Sequence, residues 1–250
     1  MAGHSHWARI KRAKAVTDAR RGRAWSKLAR AIIVAARSGG GDPDANLALR
    51  YAIDAARDGN MPRDTIERAI KKGTGELGAE QYEEVVYEGY GPGGAAVMAV
   101  ALTDNRHRTA PEIKKIFEMN GGNIAVPNAV GWNFSRRGVF RVPAAAADEE
   151  RMMELALALG ADDVGRDGEE WELRCDPALF EAGRKALADA GLKPSSAQIA
   201  LIPGSTVQVE GERAVQMVAL VEALEEHDDV QNVYSNFEIS EQDMQALAGG

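Results

Sequence analysis

The chain has few of the residues that mark secreted, membrane-bound or disulfide-stabilised proteins. Its 250 residues include one cysteine, and aromatic residues make up only 6% of them. A single cysteine cannot form an internal disulfide, so we expect Cys175 to be a buried thiol in a strand. No run approaches the roughly 18 apolar residues that a membrane helix needs, and the N-terminus lacks the apolar stretch of a secretory signal. These absences favour a cytoplasmic protein.

The sequence also has little that indicates catalysis. It contains no G-x-S-x-G motif, no P-loop and no paired-cysteine zinc spacing. The spacing G-x-G-x-x-G occurs at residues 89–94, but a strand is expected after it, and Pro92 removes an N–H that would bind phosphate. We interpret this segment as a tight hairpin turn. His4 and His6 have no third metal ligand near them. We therefore predict no catalytic residue, no metal site and no cofactor.

Acidic residues predominate over the whole chain, yet its first 75 residues are basic. The formal net charge is −8. Residues 1–75 contain 16 Lys and Arg against 7 Asp and Glu, a balance of +9, and the remainder contains 14 against 31, a balance of −17. This asymmetry indicates a basic module that binds a polyanion, joined to an acidic body that would repel one. The alternative is a basic face that is only solvated.

The basic segment, residues 1–75, is predicted to form a three-helix domain. Between residues 23 and 37, apolar residues such as Trp25, Leu28 and Ile32 recur at helical spacing and share one arc of a helix. Arginine and lysine occupy the opposite arc, so we expect them to face away from the core. Glycines 39–41 then break the chain, and two shorter helices are expected before the linker at residues 73–75.

Strands and helices alternate beyond this linker. Strands are predicted at residues 82–88, 95–103 and 130–135. A helix at residues 110–119 is predicted to begin at a capping box formed by Thr109 and Glu112. Trp132 and Phe134 alternate on one face of the third strand, so we expect both in the core.

The remaining elements give the fold class. The order β-α-β-β-α-β after residue 138 is typical of ferredoxin-like domains, and a strand, a helix and a strand follow it. We predict an α+β protein in which an N-terminal three-helix domain precedes two ferredoxin-like domains, one inserted in the other. The middle domain would comprise residues 76–137 and 204–250, and the inserted domain residues 138–203.

Two arginines, Arg106 and Arg108, lie in a short connection within the acidic part of the chain. Guanidinium groups donate paired hydrogen bonds to phosphate or carboxylate, so these residues either bind phosphate or pair with nearby acids. Together with basic residues of the first domain they complete the predicted nucleic-acid-binding set: His4, Lys11, Arg12, Lys14, Arg20, Arg21, Arg23, Lys27, Arg30, Arg37, Arg106 and Arg108.

Several blocks of the sequence closely resemble the YebC family of bacterial regulators. The matching blocks include MAGHSHW at residues 1–7, AARSGGGDP at 35–43, IERAIKKGTG at 66–75, YEGYGPGG at 87–94 and TDNR at 103–106. Two differences from the family pattern, His6 and Ala13, remove positive charge. The resemblance implies three domains around a wide cleft and no known catalysis. It also implies either a DNA-binding transcriptional regulator or a translation factor that works with the ribosome.

These observations lead to a predicted function. We expect a non-enzymatic regulator of gene expression that binds nucleic acid and has no membrane or small-molecule partner. RNA in a ribosomal setting is favoured over duplex DNA, because Arg and Lys dominate the polar helical face and few Asn or Gln could read base edges. The rival hypotheses are a protein–protein adaptor that uses the acidic body and a metal-dependent nuclease that uses an acidic cleft.

Overall fold

The structure, a computed structural model, describes residues 18–78, 81–240 and 243. Its helices and strands, in chain order, are α1 (Asp18–Gly39), α2 (Leu47–Asp58), α3 (Arg63–Gly73), β1 (Glu83–Tyr90), β2 (Ala96–Thr103), α4 (Arg106–Met119), β3 (Asn123–Ile124), β4 (Phe134–Pro143), α5 (Glu149–Leu159), β5 (Asp163–Asp167), β6 (Glu170–Cys175), α6 (Phe180–Asp189), β7 (Ser196–Pro203), β8 (Val207–Gln208), α7 (Gly211–Glu226), β9 (Val230–Ser235) and β10 (Phe237–Glu238). None of these described helices is long and apolar enough to cross a membrane.

Helices α1, α2 and α3 pack around one apolar cluster. Ile32, Leu49 and Ile66 are buried in it, and Trp25 and Leu28 pack against its edge. The turn between α1 and α2 is fixed by Asn46, whose Oδ1 accepts from the backbone N of Leu49 at 3.1 Å and so caps α2. The prediction of an amphipathic helix with Trp25, Leu28 and Ile32 facing inward is confirmed.

The first sheet has the strand order β3-β1-β2-β9, and helices α4 and α7 cover one of its faces. Strands β1 and β2 form an antiparallel hairpin closed by a 3-10 turn at Pro92–Gly94. Gly93 adopts a φ of 77°, which favours glycine. The interpretation of residues 89–94 as a hairpin turn is confirmed.

The second sheet has the antiparallel order β5-β6-β4-β7, with α5 and α6 packed on it. In chain order its strands are the second, third, first and fourth, which is the ferredoxin-like arrangement of a β-α-β-β-α-β unit. Cys175 ends β6 and is fully buried, as predicted. Helices at the N-terminus followed by two sheet-containing units confirm the α+β fold class.

Two predictions about the connection between the sheets are wrong, that of a strand at residues 130–135 and that of Trp132 in the core. The predicted strand at residues 130–135 is wrong over residues 130–133: Gly131–Asn133 is a 3-10 turn, and β4 runs unbroken from Phe134 to Pro143. The predicted boundary between residues 137 and 138 therefore falls inside β4. Phe134 is buried, but Trp132 is exposed rather than part of the core.

The predicted start of α4 is also wrong. Asn105 caps the helix, because its Oδ1 accepts from the backbone N of Arg108 at 3.1 Å. The helix therefore begins at Arg106, and Thr109 lies inside its first turn. The Thr109 side chain is buried and hydrogen-bonded elsewhere, which removes it from any capping box.

Candidate nucleic-acid interface

The predicted nucleic-acid-binding residues of the N-terminal region are only partly described. His4, Lys11, Arg12 and Lys14 lie outside the described residues, and Arg20 and Arg21 lie in α1 with side chains outside the description. Arg23 and Arg37 are exposed on α1.

The prediction that Lys27 and Arg30 lie on a face turned to solvent is wrong: both contact the connection between α7 and β9. The Nζ of Lys27 donates a hydrogen bond to the backbone O of Glu225, in the last turn of α7. The C-terminal carbonyls of a helix carry partial negative charge, which explains why a cation lies there. Arg30 donates to the backbone O of Asp228 and forms a 3.1 Å ion pair with Asp229. The polar arc of α1 therefore covers the end of α7.

Asp229 is the centre of a hydrogen-bonded cluster that also includes Arg108. Its side chain is only 3% exposed, and its second carboxylate oxygen accepts from Arg108 Nη2 at 2.6 Å and from Thr109 Oγ1 at 2.7 Å. The hydroxyl of Thr109 also lies 2.7 Å from that of Thr103. We call Arg30, Arg108, Thr109 and Asp229 the Asp229 cluster.

The electrostatics of the Asp229 cluster favour the charged carboxylate. Burial alone would raise the pKa of Asp229. Hydrogen bonds from Thr109 and Arg108, together with the positive charges of Arg108 and Arg30, outweigh burial and hold the pKa below its usual value. The carboxylate therefore stays ionised while it holds two guanidinium groups from distant parts of the chain.

The structure thus brings together two groups of predicted residues that lie far apart in the sequence. Arg30 of α1 and Arg108 of α4 meet at one carboxylate. Arg106 lies at the same end of the first sheet, where its Nη1 is 3.8 Å from Glu83 Oε2 and both side chains are exposed. Arg108 also pairs with Asp104 at 3.1 Å. Of the two alternatives for this connection, pairing with nearby acids is present for both arginines.

Sequence reasoning missed Asp229, Thr109 and a second contact of the helical unit. On α2, Asp54 pairs with Arg184 of α6 at 3.1 Å, and the ring of Tyr51 meets Phe180 edge-on at 5.4 Å between centroids. The three helices therefore contact both sheet-containing units. The pair Asp228–Asp229 directly before a strand was the one local signal that pointed to Asp229.

Within the described residues, no group of three His, Cys, Asp or Glu side chains could hold a metal ion.

The architecture and contacts define a class of protein in which a basic three-helix unit packs against an acidic α+β body. Comparison with known sequences identifies the family. Residues 5–76 match the family described as the TACO1/YebC protein N-terminal domain, and residues 82–237 match the TACO1/YebC second and third domain. The chain belongs to the TACO1/YebC family, which confirms the resemblance.

Individual relatives agree with this assignment over the full length. The chain is 51% identical to proteins of Pelotomaculum thermopropionicum and Rubrobacter xylanophilus, each named "Probable transcriptional regulatory protein". The matches cover 96% and 100% of this chain, and the whole of each relative. A crystal structure of a conserved hypothetical protein from Aquifex aeolicus is similar, with a TM-score of 0.85 and 48% identity over 94% of this chain and 98% of that one.

Proposed function

We propose that the chain is a regulator of gene expression that binds nucleic acid through its helical unit and does not catalyse a reaction. The observation that carries this proposal is a set of unpaired cations on α1, α2 and α3. Five exposed cationic side chains of these helices form no ion pair within the described part of the chain: Arg23, Arg37, Arg50, Arg68 and Lys71. The names of the relatives describe regulators of transcription, which agrees with this role.

The distribution of these cations suits phosphate contacts rather than base recognition. Arg23 and Arg37 are 14 positions apart on the same arc of α1, which is about 21 Å at 1.5 Å per residue. Cations spread over such a distance can follow a phosphate backbone, and phosphate contacts carry little sequence information. We therefore propose a sequence-tolerant grip by the helical unit, with the acidic body limiting binding to this side of the protein.

The same reasoning leads us to favour structured RNA over duplex DNA. Arg23 and Arg37 are exposed charged side chains of α1, whereas α1 contains no Asn or Gln that would read adenine edges. The setting that we propose is the cytoplasm, with an RNA target associated with the ribosome.

A salt titration of the double variant Arg23→Gln/Arg37→Gln tests the proposal. Each lost phosphate contact should flatten the plot of log affinity against log salt by about 0.7 on single strands and about 0.9 on duplex DNA. We expect a total change of roughly 1.4 to 1.8 with little loss of stability, because both side chains are exposed.

The matched control removes two charges from the acidic body. Lys115 and Lys193 are exposed there, so Lys115→Gln/Lys193→Gln changes the net charge equally without touching the helical unit. This control should leave the salt slope unchanged. Equal effects of the two double variants, or no nucleic-acid binding by the unaltered protein, would contradict the proposed function.

A further inference from the structure

Two exposed aromatic side chains lie next to each other at the end of the first sheet opposite the Asp229 cluster. Trp132 is 78% exposed, in the 3-10 turn before β4, and Tyr90 is 38% exposed, at the end of β1. Trp132 Nε1 donates to the backbone O of Ala129 at 3.0 Å, and the Tyr90 hydroxyl donates to the same oxygen at 3.2 Å. One carbonyl therefore fixes the polar edges of both rings.

The loop that carries Trp132 is held in place by Glu88. The Oε1 of Glu88 accepts from the backbone N of Asn128, and Oε2 accepts from the backbone N of Val130 and of Gly131, each at 2.8 Å. Burial alone would raise the pKa of Glu88, but these three amides outweigh it and hold the pKa below its usual value. An ionised, buried carboxylate thus presents Trp132 at the surface in a fixed position.

The chemistry of this pair favours a flat aromatic ligand. The N–H of Trp132 and the O–H of Tyr90 already donate to Ala129, so the exposed ring offers its π face rather than a polar edge. A nucleobase matches this, because every base has a π face that stacks on an aromatic side chain. Arg136 on β4 is exposed nearby in sequence and has no acidic partner among the described residues, so it can meet the attached phosphate.

A protein partner fits this site less well. Large aromatic side chains bury roughly 150–250 Å² each, so two partly exposed rings supply much less than the roughly 800 Å² per partner of a stable protein interface.

We propose that Trp132 and Tyr90 form a stacking site for an unpaired nucleobase. This inference rests on the proposed function, because it assigns to the same nucleic acid a second contact on the body. The helical unit binds phosphates, and the Trp132 site selects segments in which a base is free of pairing. Bases in a regular duplex are stacked on their neighbours, so duplexes should not use the site.

The test compares Trp132→Ala with Trp132→Phe on a 12-nucleotide single-stranded RNA and on a 12-base-pair duplex. Removing a base–aromatic stack weakens single-strand binding by roughly 5- to 160-fold. We expect a loss in that range for Trp132→Ala, a smaller loss for Trp132→Phe, and no loss of duplex affinity. The salt slope should not change, because no phosphate contact is removed.

The control variant is Leu157→Ala, which removes an 82% exposed apolar side chain from α5 and should leave both affinities unchanged. Circular dichroism and thermal melting check that each variant folds. Equal single-strand affinity for Trp132→Ala and the unaltered protein would overturn the stacking site alone. An equal loss on single strand and duplex would also overturn it, as would loss of self-association in Trp132→Ala without a change in RNA affinity. If the unaltered protein binds neither RNA, the proposed function itself fails.

Discussion

Two clusters of buried charge in this protein are built in opposite proportions. In the Asp229 cluster, one carboxylate holds the guanidinium groups of Arg30 and Arg108. In the second sheet, one guanidinium, that of Arg141, meets three carboxylates: Asp167 and Glu170 at 3.3 Å, and Glu172 in a closer hydrogen bond. We call the latter the Arg141 cluster.

The difference in proportion matches a difference in position. The Arg141 cluster joins neighbouring strands of one sheet, and its four side chains are 10–12% exposed. The Asp229 cluster joins α1 to α4 and to the connection between α7 and β9, and Arg108 is 44% exposed. The Arg141 cluster is thus enclosed within one sheet, whereas the Asp229 cluster lies at a junction between elements, where Arg108 is partly exposed and also pairs with Asp104. In each cluster one charge occurs once, Asp229 in the first and Arg141 in the second, and we call it the minority charge. Removing the minority charge should lower the free energy of unfolding more than removing any other member of its cluster.

The largest expected effect follows from removing the minority charge of the enclosed cluster. Arg141→Met would leave three carboxylates close together and largely out of water, with Arg174 still bound to Glu172. Removing one partner of a buried pair costs about 3–5 kcal/mol, and we expect a loss of that size in urea unfolding. Arg166→Met, at an exposed arginine of β5 in the same sheet, is the control and should cost under about 1 kcal/mol. Similar losses for both variants would mean that the enclosed charge has no special role.

A somewhat smaller effect is expected for Asp229→Asn. Its two arginines are 20% and 44% exposed and can regain water, so we expect a loss of about 2–3 kcal/mol, below the range for fully enclosed pairs. The released arginines should also strengthen nucleic-acid binding and steepen the salt slope by up to about 0.7–0.9 for each new contact. Unchanged affinity in a folded variant would show that these arginines stay out of reach of phosphate.

The contribution of Asp229 should depend on pH in one direction. Its pKa in the folded protein lies below the ordinary value of 3.8. A carboxyl group with a lowered folded pKa adds stability that is fully present above the unfolded pKa and is lost as pH falls through the folded pKa. The difference in unfolding free energy between the unaltered protein and Asp229→Asn should therefore be constant above about pH 5 and shrink below about pH 4. A gap that widens on acidification would contradict this.

The smallest effects are expected for the majority charges. Arg108→Gln leaves Asp229 bound to Arg30 and Thr109, and Asp167→Asn leaves Arg141 bound to Glu170 and Glu172. Each variant should lose less than about 1.5 kcal/mol, the net contribution of an ordinary hydrogen bond. Chemical denaturation of both variants beside Arg141→Met and Asp229→Asn tests whether the minority charge contributes more to stability than the majority charges. A majority variant that loses as much as its minority counterpart would break the comparison.

The sequence predicts this fold best where neighbours along the chain are also neighbours in space. The apolar arc of α1 and the hairpin at Pro92 depend on local periodicity and turn chemistry, and both are confirmed. The alternation of Trp132 and Phe134 imitates a strand, but backbone amides of that loop bind Glu88, which lies about 40 residues earlier. Local patterns contain no information about such a partner.

The candidate site was less predictable than the fold for the same reason. Arg30 and Arg108 were identified individually from charge and position, yet their common partner could not be. Asp229 lies 121 residues from Arg108 along the chain, and its local sequence, an acidic pair before a strand, does not indicate which arginines it binds. Thr109 fitted a capping motif, but the competing tertiary contact with Asp229 determines its conformation.

The buried thiol of Cys175 makes the second sheet directly measurable. Burial, together with the nearby charges of Asp162 and Asp176, raises the pKa of Cys175, and the side chain is fully enclosed. Thiol reagents attack the thiolate, so labelling has to wait until β6 separates from its neighbours. Because the chain has one cysteine, the labelling rate reports the free energy of opening this unit alone. The protein thus has a natural probe that can follow one half of its α+β body.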